Sequence, residues 1–327
     1  TYTNVIVVIS DIISYQLSVI SKNRSQESFF SFSLLSFREL PLLSYPTRHF
    51  STTHYSLLTT HFFMNKYKQQ IIADFNSRTE YDNDFRYRFA KPLLELAQLK
   101  PGQKVLDIAT GTGIVAIAAA EIVGDEGYVI GVDISTGMLA QARQKVAASA
   151  LKNIEFIEAD AEYLNFPDNS FDVIFCSAAI VYLTDIPTAL RQWHCCLKSD
   201  GLVAFSCNTE TAFTASILFR EKAQIYGISI PNPNELLGTP EKCQYLLQQV
   251  GLKNIKIVTQ QFGFYLNDAE AAWKANANSA YGYLVFQLPP EKLAQFKAEY
   301  IAEIEASSTA HGFWQDINSL FVFAHKN

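Results

Sequence analysis

The sequence predicts an α/β protein built on a doubly wound, mostly parallel sheet of seven strands. Three observations predict it. Between residues 105 and 207, short β-branched runs alternate with helical stretches of about ten residues. The runs are apolar on both sides, as a sheet covered on both faces requires. A glycine turn, Gly111-Thr-Gly113, closes the first run, where the backbone must swing from strand to helix.

The elements follow in order. Between Tyr67 and Gln98 apolar residues recur at helical spacing (Ile71, Ile72, Phe75, then Phe89, Leu93, Leu94, Leu96), and Pro101-Gly102 ends the second of two helices. Residues 105–109 form the first strand. Residues 114–123 form a helix rich in alanine, which lets it lie close to a sheet. A strand at 128–132 and a helix at 138–150 come next. Strands at 154–158, 171–176 and 201–207 continue the pattern, with a helix at 187–197 before the last. Beyond Cys207 the regular alternation stops. An amphipathic helix at 211–226, a proline-containing loop (GISIPNPNELLGTP), a helix at 240–250 and a strand at 255–259 precede helices at 268–280 and 290–306 and a final strand at 320–324.

Composition narrows the function classes. The 327 residues are 49% hydrophobic and 18% charged, with a net charge of −6, so the basic face of a dedicated nucleic-acid binder is not expected. The longest uncharged apolar run in the body of the chain, residues 173–183 (VIFCSAAIVYL), falls short of the roughly 20 residues a transmembrane helix needs. Cys176, Cys195, Cys196, Cys207 and Cys243 form no CxxC pair, which argues for small apolar residues in a reducing compartment and against a metal site or disulfide framework.

Residues 1–63 differ from the rest: they lack Gly, Ala, Cys and Met and are rich in Ser, Leu and Phe. Read as a transit peptide they are Ser-rich and acid-poor, with acids only at Asp11, Glu27 and Glu39. A membrane anchor is a poorer match, because Ser10 and Asp11 interrupt the run 5–13. The favoured expectation is an extension ahead of a start at Met64, with the catalytic body at 64–327: a cofactor half over about 75–207 and a substrate half over about 208–327. A cytoplasmic location goes with it, an organellar one only if 1–63 is a genuine transit peptide.

Ligands of doubly wound sheets sit beyond the carboxyl ends of the strands. Those ends carry Asp107, Gly111 and Gly113; Asp133 (GVDIS); Asp160 (IEADAEYL); and Cys176, Ser177 and Ala178. The spacing Gly111-x-Gly113-x-x-Ala116, with Asp133 twenty residues after Gly113, fits a dinucleotide fingerprint, so an NAD(P)-dependent oxidoreductase is one reading. Two features oppose it. Asp107 sits where a diphosphate would be repelled and a cation welcomed, and Asp160 adds an acceptor for an exocyclic adenine amine. S-adenosylmethionine combines a ribose, an adenine, an amino-acid tail and a sulfonium, and it carries no phosphate.

The segments VLDIATGTG, GVDISTGML, NIEFIEADAEYLNFPDNSFDVIFCSAAIVYL and LKSDGLVAFS resemble, in order and spacing, class I S-adenosylmethionine-dependent methyltransferases. The similarity is greatest to the broad group containing the ubiquinone/menaquinone-type C-methyltransferases. It covers about 75–206, and FNSRTEYDNDFRYRFAKPLLELAQLKPGQ resembles that group's N-terminal helices. The turn before the fifth strand departs from the group's LKPGG, with Ser199 and Asp200 in LKSDG, on the side away from the cofactor.

The resemblance implies that Asp107 and the Gly111–Gly113 turn hold the methionine end. It implies that Asp133 accepts the ribose hydroxyls, with Ile134 or Met138 against the adenine. Asp160 would bond the adenine amine and the Ala161 backbone a ring nitrogen; Ser177 would border the methionine and Tyr81 close the pocket. Each has a structural alternative. Asp133 and Asp160 also suit turns at strand ends, Tyr81 suits interhelix packing, and Met138 suits the core.

Methyl transfer from a sulfonium is an in-line displacement that needs alignment and exclusion of water more than a dedicated acid or base. Tyr182 and His311 are the candidates for a role at the acceptor, with Asp185 close to Tyr182 in sequence; His194 reads as structural. In this fold, segments after the fifth strand and between the last two commonly form a helical lid over the acceptor. Phe213, Phe219, Trp273, Tyr281, Tyr283 and Trp314 would supply aromatic surface there. The expected acceptor is a small molecule, apolar or aromatic. A protein that binds S-adenosylmethionine without turnover is the remaining alternative. No Asn/Asp-Pro-Pro-aromatic tetrapeptide of nucleic-acid amino-methylating enzymes is present.

Overall fold

Local sequence signals set most of the element boundaries in the computed structural model, which describes residues 67–279 and 281–327. The 1–63 extension and the start at Met64 lie outside the described residues, as does Ala280 of the expected helix 268–280. Residues 67–76 are helical. Helix α1 (Asp84–Ala97) starts where the Asn83 side chain accepts from the Arg86 N–H, and it stops at Gln98, whose φ is 51°. Strand β1 (Lys104–Ile108) leads through the glycine turn into α2 (Ile114–Val123). After β2 (Tyr128–Asp133), the Ser135 hydroxyl caps α3 (Thr136–Ala147) by accepting from the Met138 N–H. Strands β3 (Ile154–Glu158) and β4 (Phe171–Cys176) follow, then α4 (Ile186–Cys196), capped by Asp185, and β5 (Leu197–Asn208).

The C-terminal part adds α5 (Thr214–Ile225), α6 (Pro240–Gln249) capped by Thr239, and β6 (Lys253–Leu266). Helix α7 (Ala269–Ala277) is capped by Asp268, and α8 (Pro290–Ala306) leads to β7 (Phe313–His325). The seven strands form one sheet in the order β3-β2-β1-β4-β5-β7-β6. The first five are parallel, and β7 runs antiparallel to both β5 and β6. The order reverses between β1 and β4, which opens a crevice beyond their carboxyl ends.

The last two strands are far longer than the sequence predicts. Instead of 255–259 and 320–324 they span 14 and 13 residues, paired from Lys253 with His325 to Leu266 with Phe313. Gln260, Gln261 and Gly263 on one strand and Gln315, Asp316 and Asn318 on the other hide the apolar alternation. The ladder of backbone bonds carries the hairpin there.

Alternation along the buried strands divides the core between the two faces. Leu106, Ile108, Ile174 and Phe205 pack with Trp193 of α4 and Leu247 of α6. Val105, Val173, Phe175 and Phe321 pack with Phe89 and Leu93 of α1 and Val115 and Ala116 of α2. A third cluster joins α5, α7 and α8 through Phe219, Trp273, Phe296 and Tyr300. Each large side chain withdrawn from water contributes about 1.5–3 kcal/mol. Among the described residues, no helix is long and apolar enough to cross a membrane.

In the third cluster the buried Tyr300 hydroxyl donates to the Ala215 carbonyl at 3.1 Å and accepts from Asn276 Nδ2 at 3.1 Å. Tyr300→Phe removes both bonds while keeping the ring, so urea unfolding should show a loss of about 1–2 kcal/mol.

Candidate functional site

The crevice holds a cavity of about 780 Å³. Its floor is the glycine turn, gripped from two sides by carboxylates. Asp107 projects from β1 toward α2 and is 1% exposed. Its Oδ2 accepts from the Thr110 hydroxyl at 2.6 Å and from the Ala116 N–H at 3.1 Å. Burial pushes its carboxyl up to about 7, against the pull of those two donors. Asp133, at the end of β2, accepts from the Gly111 N–H through Oδ2 and from the Ser135 N–H through Oδ1, both at 2.8 Å. Burial raises this carboxyl too, opposed by the backbone donors. Asp133 is thus also the turn residue of the structural alternative, and it ties the end of β2 to the turn after β1.

The two glycines do different work. Gly111 has a φ of 57°, and a Cβ built on it would meet nothing within 4 Å, so its backbone faces open space on the cavity wall. Gly113 has a φ of 79°, and a Cβ there would stand 2.9 Å from the Phe156 ring. It lies outside the cavity lining and serves the packing of α2 against the sheet.

Ile134 and Met138 line the cavity from the start of α3, and Met138 is at the same time 1% exposed, so wall and core coincide in it. Asp160 and Ala161 line the next stretch. Asp160 Oδ1 accepts from the Glu162 N–H at 3.0 Å, and Oδ2 pairs with Lys68 Nζ at 2.7 Å. The Ala161 carbonyl accepts from the Trp193 indole at 3.2 Å. Ser177 borders the cavity after β4.

Tyr81 and Tyr182 both reach the cavity. Phe75 stands between them, 6.0 Å from the Tyr81 ring and edge-on to Tyr182 at 5.6 Å. Burial raises the Tyr182 hydroxyl above its ordinary value. His311 does not reach the cavity. It is exposed in the tight turn between α8 and β7, where Thr309 and Gly312 bond each other, with its ring 5.7 Å from Tyr265. His194, on α4, also lies away from the cavity.

The cover of the crevice comes from a part of the chain that the sequence reading weighted less. The segment 67–83 is clasped over it at three points. Lys68 pairs with Asp160 and with Glu162, which itself accepts from Thr184 and the Asp185 N–H. Burial opposes the Lys68 charge, but its hydrogen bonds to the two acids outweigh burial and hold its value above the ordinary one. Asn76 Oδ1 accepts from the Ser135 hydroxyl and the Gly137 N–H. Asp82 bonds the Thr112 hydroxyl and pairs with Lys145 at 2.7 Å. Lys68, Ile71 and Phe75 all line the cavity, and their spacing on one helical face was the signal available for Lys68.

From the C-terminal half, Asn208, Phe213, Phe264 and Ile317 line the cavity. Of the other aromatic residues expected over the acceptor, Phe219 and Trp273 are buried within the third cluster. Tyr281 stacks on Tyr67 at 5.5 Å, and Tyr283 and Trp314 are 40% and 41% exposed. Helices α5, α7 and α8 thus pack chiefly on one another.

Comparison with known proteins follows the same outline. Residues 105–201 match the family described as a methyltransferase domain. The chain is 34% identical over 146 residues to the aklanonic acid methyltransferase DauC of Streptomyces sp. strain C5, across 43% of this chain and 66% of that protein. It is 41% identical over 109 residues to the ubiquinone/menaquinone biosynthesis C-methyltransferase UbiE of Teredinibacter turnerae, across 33% of this chain and 44% of that one. The matched regions thus span less than two thirds of either relative. In fold, the chain is similar to the YcgJ protein of Bacillus subtilis, with a TM-score of 0.52 at 19% identity over 74% of this chain and 99% of that one.

The Asp107 carboxyl carries a pH signature. Its native value of about 7 lies above the ordinary 3.8, so the folded protein holds this proton more tightly than the unfolded chain. Its stabilising contribution is complete below 3.8 and is lost as the pH rises through about 7. Asp107→Asn keeps an acceptor for Thr110 and Ala116 but does not titrate. Urea unfolding across this window should show wild type losing stability relative to Asp107→Asn as pH increases.

Proposed function

We propose that the methyltransferase domain this chain carries, built on the class I fold, transfers a methyl group from S-adenosylmethionine to a small-molecule acceptor. The observation that carries the reading is the junction of Gly111 and Asp133: an open glycine backbone and an acid at adjoining strand ends, facing one cavity. A nucleoside fits this donor set. Gly111 leaves room for close approach, and each Asp133 oxygen keeps a lone pair beyond its backbone bond, available to the ribose hydroxyls. Ile134 and Met138 supply an apolar wall for the adenine, with Asp160 and the Ala161 backbone beside it. Ser177 and Tyr81, which also line the cavity, would hold the amino-acid end.

When bound, the cofactor supplies a methyl group on a positively charged sulfur, an electrophile that needs no acid to activate it. The chain has to align the acceptor and keep water out. Phe75, Tyr81 and Tyr182 form an aromatic barrier suited to that task, held down by the Lys68, Asn76 and Asp82 clasps. Tyr182, its hydroxyl raised by burial, keeps its proton near neutral pH and acts as a positioning donor rather than a base. Phe85, Phe89, Phe264 and Ile317 give the rest of the wall an apolar, partly aromatic character. This supports an apolar or aromatic acceptor, in keeping with relatives named for aklanonic acid and for ubiquinone/menaquinone.

Isothermal titration calorimetry with S-adenosylhomocysteine and with NAD tests the reading. Binding of the former alone is expected, and binding of NAD alone would overturn it. Asp133→Ala should weaken S-adenosylhomocysteine by about 10- to 100-fold, the loss of one or two hydrogen bonds to a charged acceptor. An unchanged affinity would remove Asp133 from the ribose site.

A further inference from the structure

Among the described residues, three cations line the cavity: Lys68, Arg78 and Arg86. Two are committed. Lys68 pairs with Asp160 and Glu162, and Arg78 pairs with Asp74 at 2.6 Å. The guanidinium of Arg86 makes no ion pair or hydrogen bond among the described residues, and its Nε is buried without a partner. Its Cζ sits over the Tyr81 ring, 3.7 Å from the centroid. An approach this close favours a guanidinium stacked on the ring, an arrangement that leaves its edge, where the N–H donors are, to an anion. The acids of the lining do not answer it: Asp107 and Asp133 are taken by the glycine turn and its neighbours, Asp160 by Lys68, and Asp84, exposed in the first turn of α1, forms no ion pair with it; Asp82 beside it is taken by Lys145 and Thr112.

A half-buried guanidinium left without an anion is costly, and a planar fork matches the two oxygens of a carboxylate. We propose that Arg86 is a carboxylate-binding residue of this cavity, holding either the amino-acid carboxylate of the cofactor or a carboxylate on the acceptor. The inference rests on the methyltransferase reading for the identity of the cofactor. Because Arg86 stacks on Tyr81 and both line the cavity, the anion would lie at the Tyr81 end.

The experiment compares full-length wild type with Arg86→Gln and Arg86→Lys, using two pairs of probes. The first pair is S-adenosylhomocysteine and 5′-methylthioadenosine, which share the nucleoside and differ in the amino-acid tail. The second, added to protein loaded with S-adenosylhomocysteine, is 4-hydroxybenzoate and its uncharged amide. If Arg86 holds the cofactor, Arg86→Gln weakens S-adenosylhomocysteine by about 10- to 100-fold and leaves methylthioadenosine unchanged, with partial recovery in Arg86→Lys. If it holds the acceptor, S-adenosylhomocysteine is unaffected and the preference for hydroxybenzoate over the amide disappears. Affinities for both acids within twofold of wild type overturn the inference, including the case in which no protein binds hydroxybenzoate. Should Arg86→Gln not fold, Arg86→Lys decides on the same comparison, and equal weakening of both members of each pair counts against Arg86. Failure of wild type to bind S-adenosylhomocysteine refutes the cofactor reading separately; the carboxylate inference then stands or falls on hydroxybenzoate against its amide, tested without the nucleoside.

Discussion

One backbone N–H, that of Gly111, and the carboxylate of Asp133 that accepts from it hold the site together. The bond joins the turn after β1 to the end of β2. Parallel pairing of these strands brings Asp107 opposite Gly131 and Ile108 opposite Val132, so the two carboxyl ends are already side by side when the turn forms. Asp107 secures the same turn from beneath, through Thr110 and the first residues of α2. A turn clamped by two buried acids cannot shift without leaving a carboxylate unsatisfied, and that cost keeps the glycine backbone presented to the cavity.

The same clamps change the electrical character of the crevice. The carboxylates at successive strand ends look in sequence like a negative rim waiting for a cation. In the fold, Asp107 and Asp133 are engaged with backbone and hydroxyl donors, and Asp160 is paired with Lys68. What faces the cavity is a set of oriented acceptors, and the segment 67–90 adds Arg78 and Arg86 to the lining. On the proposed reading, recognition would match a polar nucleoside to fixed acceptors and an anion to a fixed donor, with bulk charge playing the smaller part.

The halves of the chain contribute unequally. The sheet and its strand ends supply the floor, and the clasped segment 67–83 supplies the cover. The C-terminal helices bury most of their aromatic residues in one another, as Phe219, Trp273, Phe296 and Tyr300 show, and lend the cavity only the ends of β5 and the β6–β7 hairpin with Phe213.

Strand and helix periodicity, the glycine turn and the acids at the strand ends belong to local sequence. They were enough to place β1 to β5, the doubly wound class, and the strand-end residues Asp107, Gly111, Asp133 and Asp160 on the cavity wall, because each depends on neighbours a few positions away. Tertiary structure decided the rest. Lys68 finds Asp160 across 92 residues, and Asn76 finds Gly137 across 61, by contacts that no local pattern encodes. The length of β6 and β7 depends on pairing between strands whose own polar residues mask the alternation. His311 and Tyr182 carry similar chemical promise in sequence, but a tight surface turn turns one to solvent while packing against Phe75 draws the other into the cavity.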